Sequence, residues 1–247
     1  MAVSSDVFAG SIPEIYDRLL VPVIFEFYAQ DLAGRIAAAQ PRDVLETAAG
    51  TGVLTRALAA RLPERARIVV TDLIQPMIDY ARRQSPDGGR TEWLQADALA
   101  LPFPEASFDA VACQFGVMFF PDQRRGYEEA RRVLRLNGRF VFSVWGGIGE
   151  NDFPHVVTEA VAALFPGDPP RFLARIPYGG VTPPRSRAIS IPRASHMFRS
   201  RLWTASAKRH PRTTLRSGFA RERRSATKLR LATQRVSRRR RREPLKL

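Results

Sequence analysis

V-L-E-T-A-A-G-T-G, residues 44–52, decides the fold of this chain. The apolar pair Val44-Leu45 leads into Glu46, a turn of small residues follows, and residues 53–60 then have the composition of a helix. This is a strand, a glycine-containing turn and a helix start. At such a turn Gly50 and Gly52, having no side chain, let backbone N–H groups come close to a polar ligand.

Outward from this turn, strand and helix signals alternate. Toward the N-terminus, residues 11–38 carry apolar residues at helical spacing, with a break expected at Pro22. Toward the C-terminus, strands are predicted at 67–71, 91–95, 108–113 and 139–145, and helices at 53–62, 75–84, 122–134 and about 154–165. Pro76 suits a first helical turn, Asp122 suits an N-cap, and Asn137-Gly138 reads as a helix stop. The pattern predicts an α/β protein with a doubly wound, mostly parallel sheet covered by helices on both faces.

In such sheets ligands bind beyond the carboxyl ends of the strands. The polar residues there are Glu46, Asp72, Asp97 and Gln114, so all four are expected on one rim around the glycine turn. Asp72, 20 residues after Gly52, can accept both hydroxyls of a ribose. Asp97 can accept from an adenine amino group, with the small Ala98 leaving room for the ring and Ile74, Met77 and Leu99 offering apolar faces. Gln114 sits where the reactive end of a cofactor would point. Each residue also has a duller reading as a turn former, cap or surface acid, but four coincidences on one rim favour a cofactor. A dinucleotide fits less well, because the third glycine of G-x-G-x-x-G is replaced by Thr55.

Four runs occur in order at fitting spacing: E-T-A-A-G-T-G, T-D-L-I-Q-P-M, Q-A-D-A-L-A-L-P-F-P-E-A-S-F-D-A-V and E-E-A-R-R-V-L-R-L-N-G-R-F. Together they resemble the class I S-adenosylmethionine-dependent methyltransferases, in the ubiquinone/menaquinone-biosynthesis-like branch, over about residues 8–178. The resemblance implies a Rossmann-like fold and S-adenosylmethionine as cofactor. It places Gly50 and Gly52 near the methionine part, Asp72 on the ribose and Asp97 on the adenine, and Glu46, Ala48, Met77, Ala98 and Gln114 complete the candidate cofactor-binding residues. Ala48 stands where the family has a glycine. Residues 1–40 resemble the family's helical lid, with Tyr16 and Phe25 as candidates to cover the cofactor; Tyr16 reads equally as a half-buried core aromatic. Methyl transfer asks mainly for alignment, because the sulfonium carries the activation. Gln114 and Tyr16 are the candidates for a catalytic role. His155 is the only histidine in residues 1–180 and reads as a surface or core residue.

Composition bounds the remaining possibilities. The 247 residues suffice for one α/β domain with a real core. One cysteine, Cys113, excludes a disulfide framework, and the three histidines lack ligand spacing, so no metal is expected. No apolar run reaches membrane-spanning length, and a cytoplasmic protein acting on a small-molecule acceptor is the expectation. The net charge of +15 is unevenly spread. Residues 181–247 hold 21 Lys and Arg against 2 Asp and Glu, whereas residues 1–180 are slightly acidic.

The lid (1–40) and cofactor domain (41–178) are therefore followed by an Arg-rich segment, 179–247, without apolar periodicity, for which disorder is expected. It has three readings: a nucleic-acid-binding extension that would make the protein an RNA or DNA methyltransferase, a solvated tail, or a frameshifted C-terminus. Residues 1–180 contain no lysine, which suggests a GC-rich gene, and shifted frames of such a gene read mostly as Arg, Ala, Pro, Ser and Gly. Composition thus favours the third reading. On that reading the sheet lacks its last two strands, the fifth strand is an exposed edge, and activity is impaired, down to a non-catalytic, cofactor-binding remnant.

Overall fold

Five short apolar runs become five parallel strands. The computed structural model describes residues 12–85, 89–179, 188–192 and 199–206. These lie within one compact unit, Met1–Ser217; the second unit, Gly218–Leu247, is outside the described residues.

The strands are β1 (Asp43–Glu46), β2 (Arg67–Asp72), β3 (Thr91–Gln95), β4 (Phe108–Gln114), β5 (Leu134–Trp145), β6 (Ala188–Pro192) and β7 (Arg199–Ser206). The α-helices are α1 (Ile12–Ile15), α2 (Glu26–Ala37), α3 (Val53–Arg61), α4 (Gln75–Arg83), α5 (Gln123–Val133), α6 (Asp152–Leu164) and α7 (Phe172–Arg175). The sheet order is β3-β2-β1-β4-β5-β7-β6. β1 lies between β2 and β4, parallel to both. After β1 the chain winds outward through β2 and β3, then returns to place β4 on the other side. The switch point where such sheets bind ligands is therefore at the carboxyl ends of β1 and β4.

The central strands β1, β2, β4 and β5 are buried on both faces, as parallel strands usually are. On one face Val44, Ile68, Val70, Ala110, Ala112 and Val141 pack with Ala29, Leu32 and Ile36 of α2 and Leu54, Ala57 and Leu58 of α3. On the other, Leu45, Val69, Val111, Phe140 and Phe142 pack with Tyr127, Ala130 and Val133 of α5. β4 shows the two-residue period directly: Ala110 and Ala112 serve one face, Val111 and Cys113 the other. Asp122 caps α5, its Oδ1 accepting from the Arg125 N–H at 2.9 Å.

Three expectations are corrected. Pro22 does not break the N-terminal helix. Residues Tyr16–Phe25 form a π-helix, and the Glu26 N–H donates to the Val21 carbonyl, five residues back. The wider turn accommodates a proline that has no N–H to give and whose ring would crowd an α-helical carbonyl. Asn137-Gly138 does not stop α5, which ends at Val133. The pair lies in a bulge of β5, where pairing with β4 jumps from Phe108↔Leu134 to Ala110↔Arg139 and Asn137 takes φ +68°. The bulge frees Arg135, whose guanidinium donates to Asp43 at 2.7 Å and Asp109 at 2.9 Å.

The third correction concerns the end of the sheet. The last two strands, expected to be missing, are present as β6 and β7. β7 pairs antiparallel with β5 from Arg139↔Ser206 to Trp145↔Ser200, so β5 is not an edge. Among the described residues β6 pairs only with β7 and forms the edge itself. Of the segment expected to be disordered, residues 180–187, 193–198 and 207–247 lie outside the described residues. No helix among the described residues is long and apolar enough to cross a membrane.

Candidate functional site

The turn after β1 is built from left-handed backbone. Ala48, Gly50 and Gly52 have φ of +52°, +56° and +79°. The turn is tied to neighbouring strands: the Thr47 N–H donates to the Ala112 carbonyl at 2.9 Å, and the Ala49 N–H to the Thr71 carbonyl at 3.1 Å. The two glycines have different reasons to be glycine. A Cβ on Gly50 would meet nothing within 4 Å, so this residue borders open space. A Cβ on Gly52 would lie 3.0 Å from the Ala81 Cβ, so here the turn packs closely on α4. Thr51 between them is buried, with its hydroxyl lacking a hydrogen-bond partner.

Glu46 ends β1 fully buried, and its Oε2 accepts from the Thr55 hydroxyl at 2.7 Å. Burial pushes its carboxyl up to about 8 against the opposing effect of that hydrogen bond. The Thr71 hydroxyl donates to the Glu46 carbonyl at 3.0 Å, joining β1 to β2. Asp72 ends β2 and reaches back over the turn. Its Oδ2 accepts from the Gly50 N–H at 2.8 Å and its Oδ1 from the Ile74 N–H at 2.9 Å. Burial raises its carboxyl above the ordinary range although both hydrogen bonds oppose the shift. Each oxygen keeps a second lone pair for a ligand hydroxyl. Asp97, after β3, is exposed, and its Oδ1 accepts from the Leu99 N–H at 2.8 Å. Ala98 is half-buried beside it, while Met77 is buried on the inner side of α4.

Gln114 ends β4. Its Nε2 donates to the Phe25 carbonyl at 2.9 Å, pinning the junction between the π-helix and α2 to the sheet, and its Oε1 is buried without a partner. Next to it Phe115 has φ +54°, and Gly116 follows. A Cβ on Gly116 would fall 2.5 Å from the Ala48 Cβ and 2.7 Å from the Cys113 Sγ. The loop after β4 therefore lies directly on the turn after β1. Cys113 is fully buried, with its thiol pushed up to about 12 by burial.

Aromatic rings accumulate at this end of the sheet. Phe115 stacks on Trp145 with centroids 3.8 Å apart, and Trp145 stacks on Tyr178 at 5.8 Å. Phe25 meets Phe115 edge-on at 5.7 Å and stacks with Tyr16 at 5.3 Å. Burial, with Asp72 and Asp17 nearby, raises the Tyr16 hydroxyl well above the usual phenol range. It therefore remains a hydrogen-bond donor at neutral pH. His155 is exposed on α6.

The structure thus brings Glu46, Ala48, Gly50, Gly52, Asp72 and Gln114 around one turn, with Tyr16 on the helical segment facing it. Asp97 and Ala98 stand further out, beyond β3. Sequence reasoning missed Thr55 as the partner of Glu46, Asp17 and Arg56 on the helices flanking the turn, and the Phe115–Trp145 stack. Only the run Q-F-G after the fourth strand carried a trace of the last.

Residues 45–142 match the family model described as a methyltransferase domain. A demethylmenaquinone methyltransferase of Deinococcus radiodurans is 33% identical over 176 residues, covering 66% of this chain and 71% of that protein. A demethylmenaquinone methyltransferase of Thermus thermophilus is 43% identical over 102 residues, covering 41% of this chain; the chain spans 46% of that protein's length. Among solved structures, a SAM-dependent methyltransferase from Aquifex aeolicus superposes with a TM-score of 0.54 at 16% identity, covering 78% of this chain and 97% of that one, and so shares the fold.

Proposed function

The chain belongs to the class I S-adenosylmethionine-dependent methyltransferases, in the ubiquinone/menaquinone-type branch, and on that premise we propose that it methylates a ring carbon of a quinol-class acceptor. The residues of the rim fit the family's cofactor. Gly50 borders open space that any side chain would intrude on, and the orphaned Thr51 hydroxyl and Gln114 Oε1 are polar atoms in want of a partner. Asp72 would hold the ribose hydroxyls, Asp97 the adenine amino group, and Ala98 and Met77 the adenine ring. Glu46, Ala48 and Gly52 shape the turn beneath the methionine part. Bound there, S-adenosylmethionine supplies a sulfonium-activated methyl group, and the acceptor carbon that takes it gives up a proton.

The protein's share of the chemistry is alignment and exclusion of water. The observation that carries the acceptor class is the 33% identity over 176 residues to a demethylmenaquinone methyltransferase; the buried Phe115–Trp145 stack, 3.8 Å between centroids, backs the loop seated against Ala48. An apolar, aromatic backing suits a flat aromatic acceptor. The π-helical segment, residues 16–25, acts as a lid, with Tyr16 and Phe25 covering the site. Tyr16, whose ring stacks on Phe25 and which feels the charge of Asp72, serves as a hydrogen-bond donor to an acceptor oxygen. The similarity to the Thermus thermophilus demethylmenaquinone methyltransferase points the same way.

The test is incubation with S-adenosylmethionine and either a reduced 1,4-naphthoquinone or a catechol, followed by mass spectrometry. A C-methylated naphthoquinol, formed more slowly by the Asp72→Asn variant at limiting S-adenosylmethionine, supports the proposal. Methylation of the catechol oxygen alone would overturn the acceptor class. The Asp72→Asn exchange is expected to weaken S-adenosylmethionine binding by roughly 10–100-fold, the worth of hydrogen bonds to a charged acceptor, measured by calorimetric titration.

A further inference from the structure

Arg56 lies in the first turn of α3 and reaches in two directions. Its Nη1 donates to the Thr51 carbonyl, inside the glycine turn, at 2.8 Å. Its Nη2 donates to Asp17 Oδ1, on the π-helix, at 2.9 Å. Asp17 also accepts from the Tyr80 hydroxyl of α4 at 3.4 Å. The Arg56 and Asp17 side chains keep 28% and 17% exposure, so the ion pair is sheltered enough to matter beyond a surface contact. One guanidinium therefore bridges the loop that faces the cofactor and the segment that covers it.

This is an uneconomical way to stabilise a helix, but a direct way to link two parts. A guanidinium is a rigid planar fork, so its two partners cannot move independently without breaking a charge-assisted bond. Beside Asp17, Tyr16 stacks on Phe25 and feels the charge of Asp72, and Phe25 gives its carbonyl to Gln114. The π-helix is thus held at one end by Arg56 and at the other by Gln114, with Tyr16 facing the rim between them.

We propose that Arg56 is a positioning residue that couples cofactor binding to closure of the π-helical segment: setting the Gly50–Gly52 turn and seating residues 16–25 are one event. The proposal rests on the reading of this turn as the cofactor site.

The test uses the full chain and S-adenosylmethionine with two readouts, calorimetric affinity and hydrogen exchange of the backbone amides in residues 16–25. In the wild type the cofactor should slow exchange in 16–25. Arg56→Lys keeps the charge but not the fork, and Asp17→Asn keeps the size but not the charge. Each should weaken the affinity about tenfold and abolish the slowing, with the double variant no worse than either alone, as expected for residues acting as a unit. The melting temperature of the cofactor-free variants separates this from a structural role, which would lower it in proportion to the lost affinity. The coupling is overturned if the variants bind the cofactor with wild-type affinity, if exchange in 16–25 slows equally in all, or if the two losses simply add. If the wild type binds no S-adenosylmethionine, the cofactor reading falls and takes the coupling with it.

Discussion

Ala48 and Gly116 compete for one space: a Cβ on Gly116 would fall 2.5 Å from the Ala48 Cβ. Ala48 has φ +52°, a conformation that disfavours side chains. The loop after β4 has the only residue type that tolerates this methyl group. Gly116 itself has φ −94°, which any residue can adopt, so sterics alone demand a glycine there.

A swap experiment follows. Gly116→Ala alone should destabilise the protein by about 1–3 kcal/mol through overpacking. Ala48→Gly alone should be close to neutral, since the gain in backbone comfort is offset by unfolded-chain entropy. The double variant should recover most of the loss. Thermal melts of the three variants check this; a double variant as unstable as Gly116→Ala would mean that Cys113, 2.7 Å from the same position, sets the limit.

The buried Glu46 makes a pH prediction. Its folded-state carboxyl is raised to about 8 from 4.5, so between these values the folded protein holds a proton that the unfolded chain has released. Stability from this group is complete below about pH 4.5, falls as pH rises toward 8 and is then level. Glu46→Gln keeps the shape and the acceptor for Thr55 but cannot ionise. The difference in melting temperature between variant and wild type should therefore grow in the variant's favour from pH 5 to pH 8. A constant difference would place the ionisation elsewhere.

Two arginines on α5 should differ sharply. Arg132 donates to Glu129 at 2.7 Å and to the carbonyls of Leu101 and Phe103 at 2.8 and 2.6 Å, and Glu129 is 3% exposed. Arg132→Met would leave the buried Glu129 with only Arg125 at 3.1 Å and the Leu101 N–H at 2.9 Å, and would take a donor from two carbonyls, at a cost of about 1–3 kcal/mol. Arg124 pairs with Glu128 on the open surface, and Arg124→Met should cost under about 0.5 kcal/mol. Denaturant titration of both variants is the check.

Local signals in the chain were legible where one segment carries its own reason. β3 was readable from five residues, and Asp122 announced itself as a cap because the capped N–H is three residues away. The rim acids were legible because parallel strands bring their carboxyl ends together whatever the loops do. What depends on distant partners was not. Arg56 and Asp17 are 39 positions apart, and nothing near either one indicates the other. Pro22 speaks against an α-helix but carries no sign of the π-register that admits it. β7, R-S-R-L-W-T-A-S, was hidden because its polar composition resembles the Arg- and Ser-rich residues around it.

The place of β7 between β5 and β6 bears on how the protein is made. β5 is complete at residue 145, but its neighbour ends at residue 206. At ordinary translation rates this is a delay of roughly 3–12 seconds, during which one side of β5 waits on the ribosome with its backbone groups unmatched. β6 emerges first and cannot fill the vacancy, since it joins the sheet only through β7. The nascent chain therefore carries its most adhesive surface in the interval between these two residues, and the yield of folded protein depends on what shields that surface until synthesis catches up.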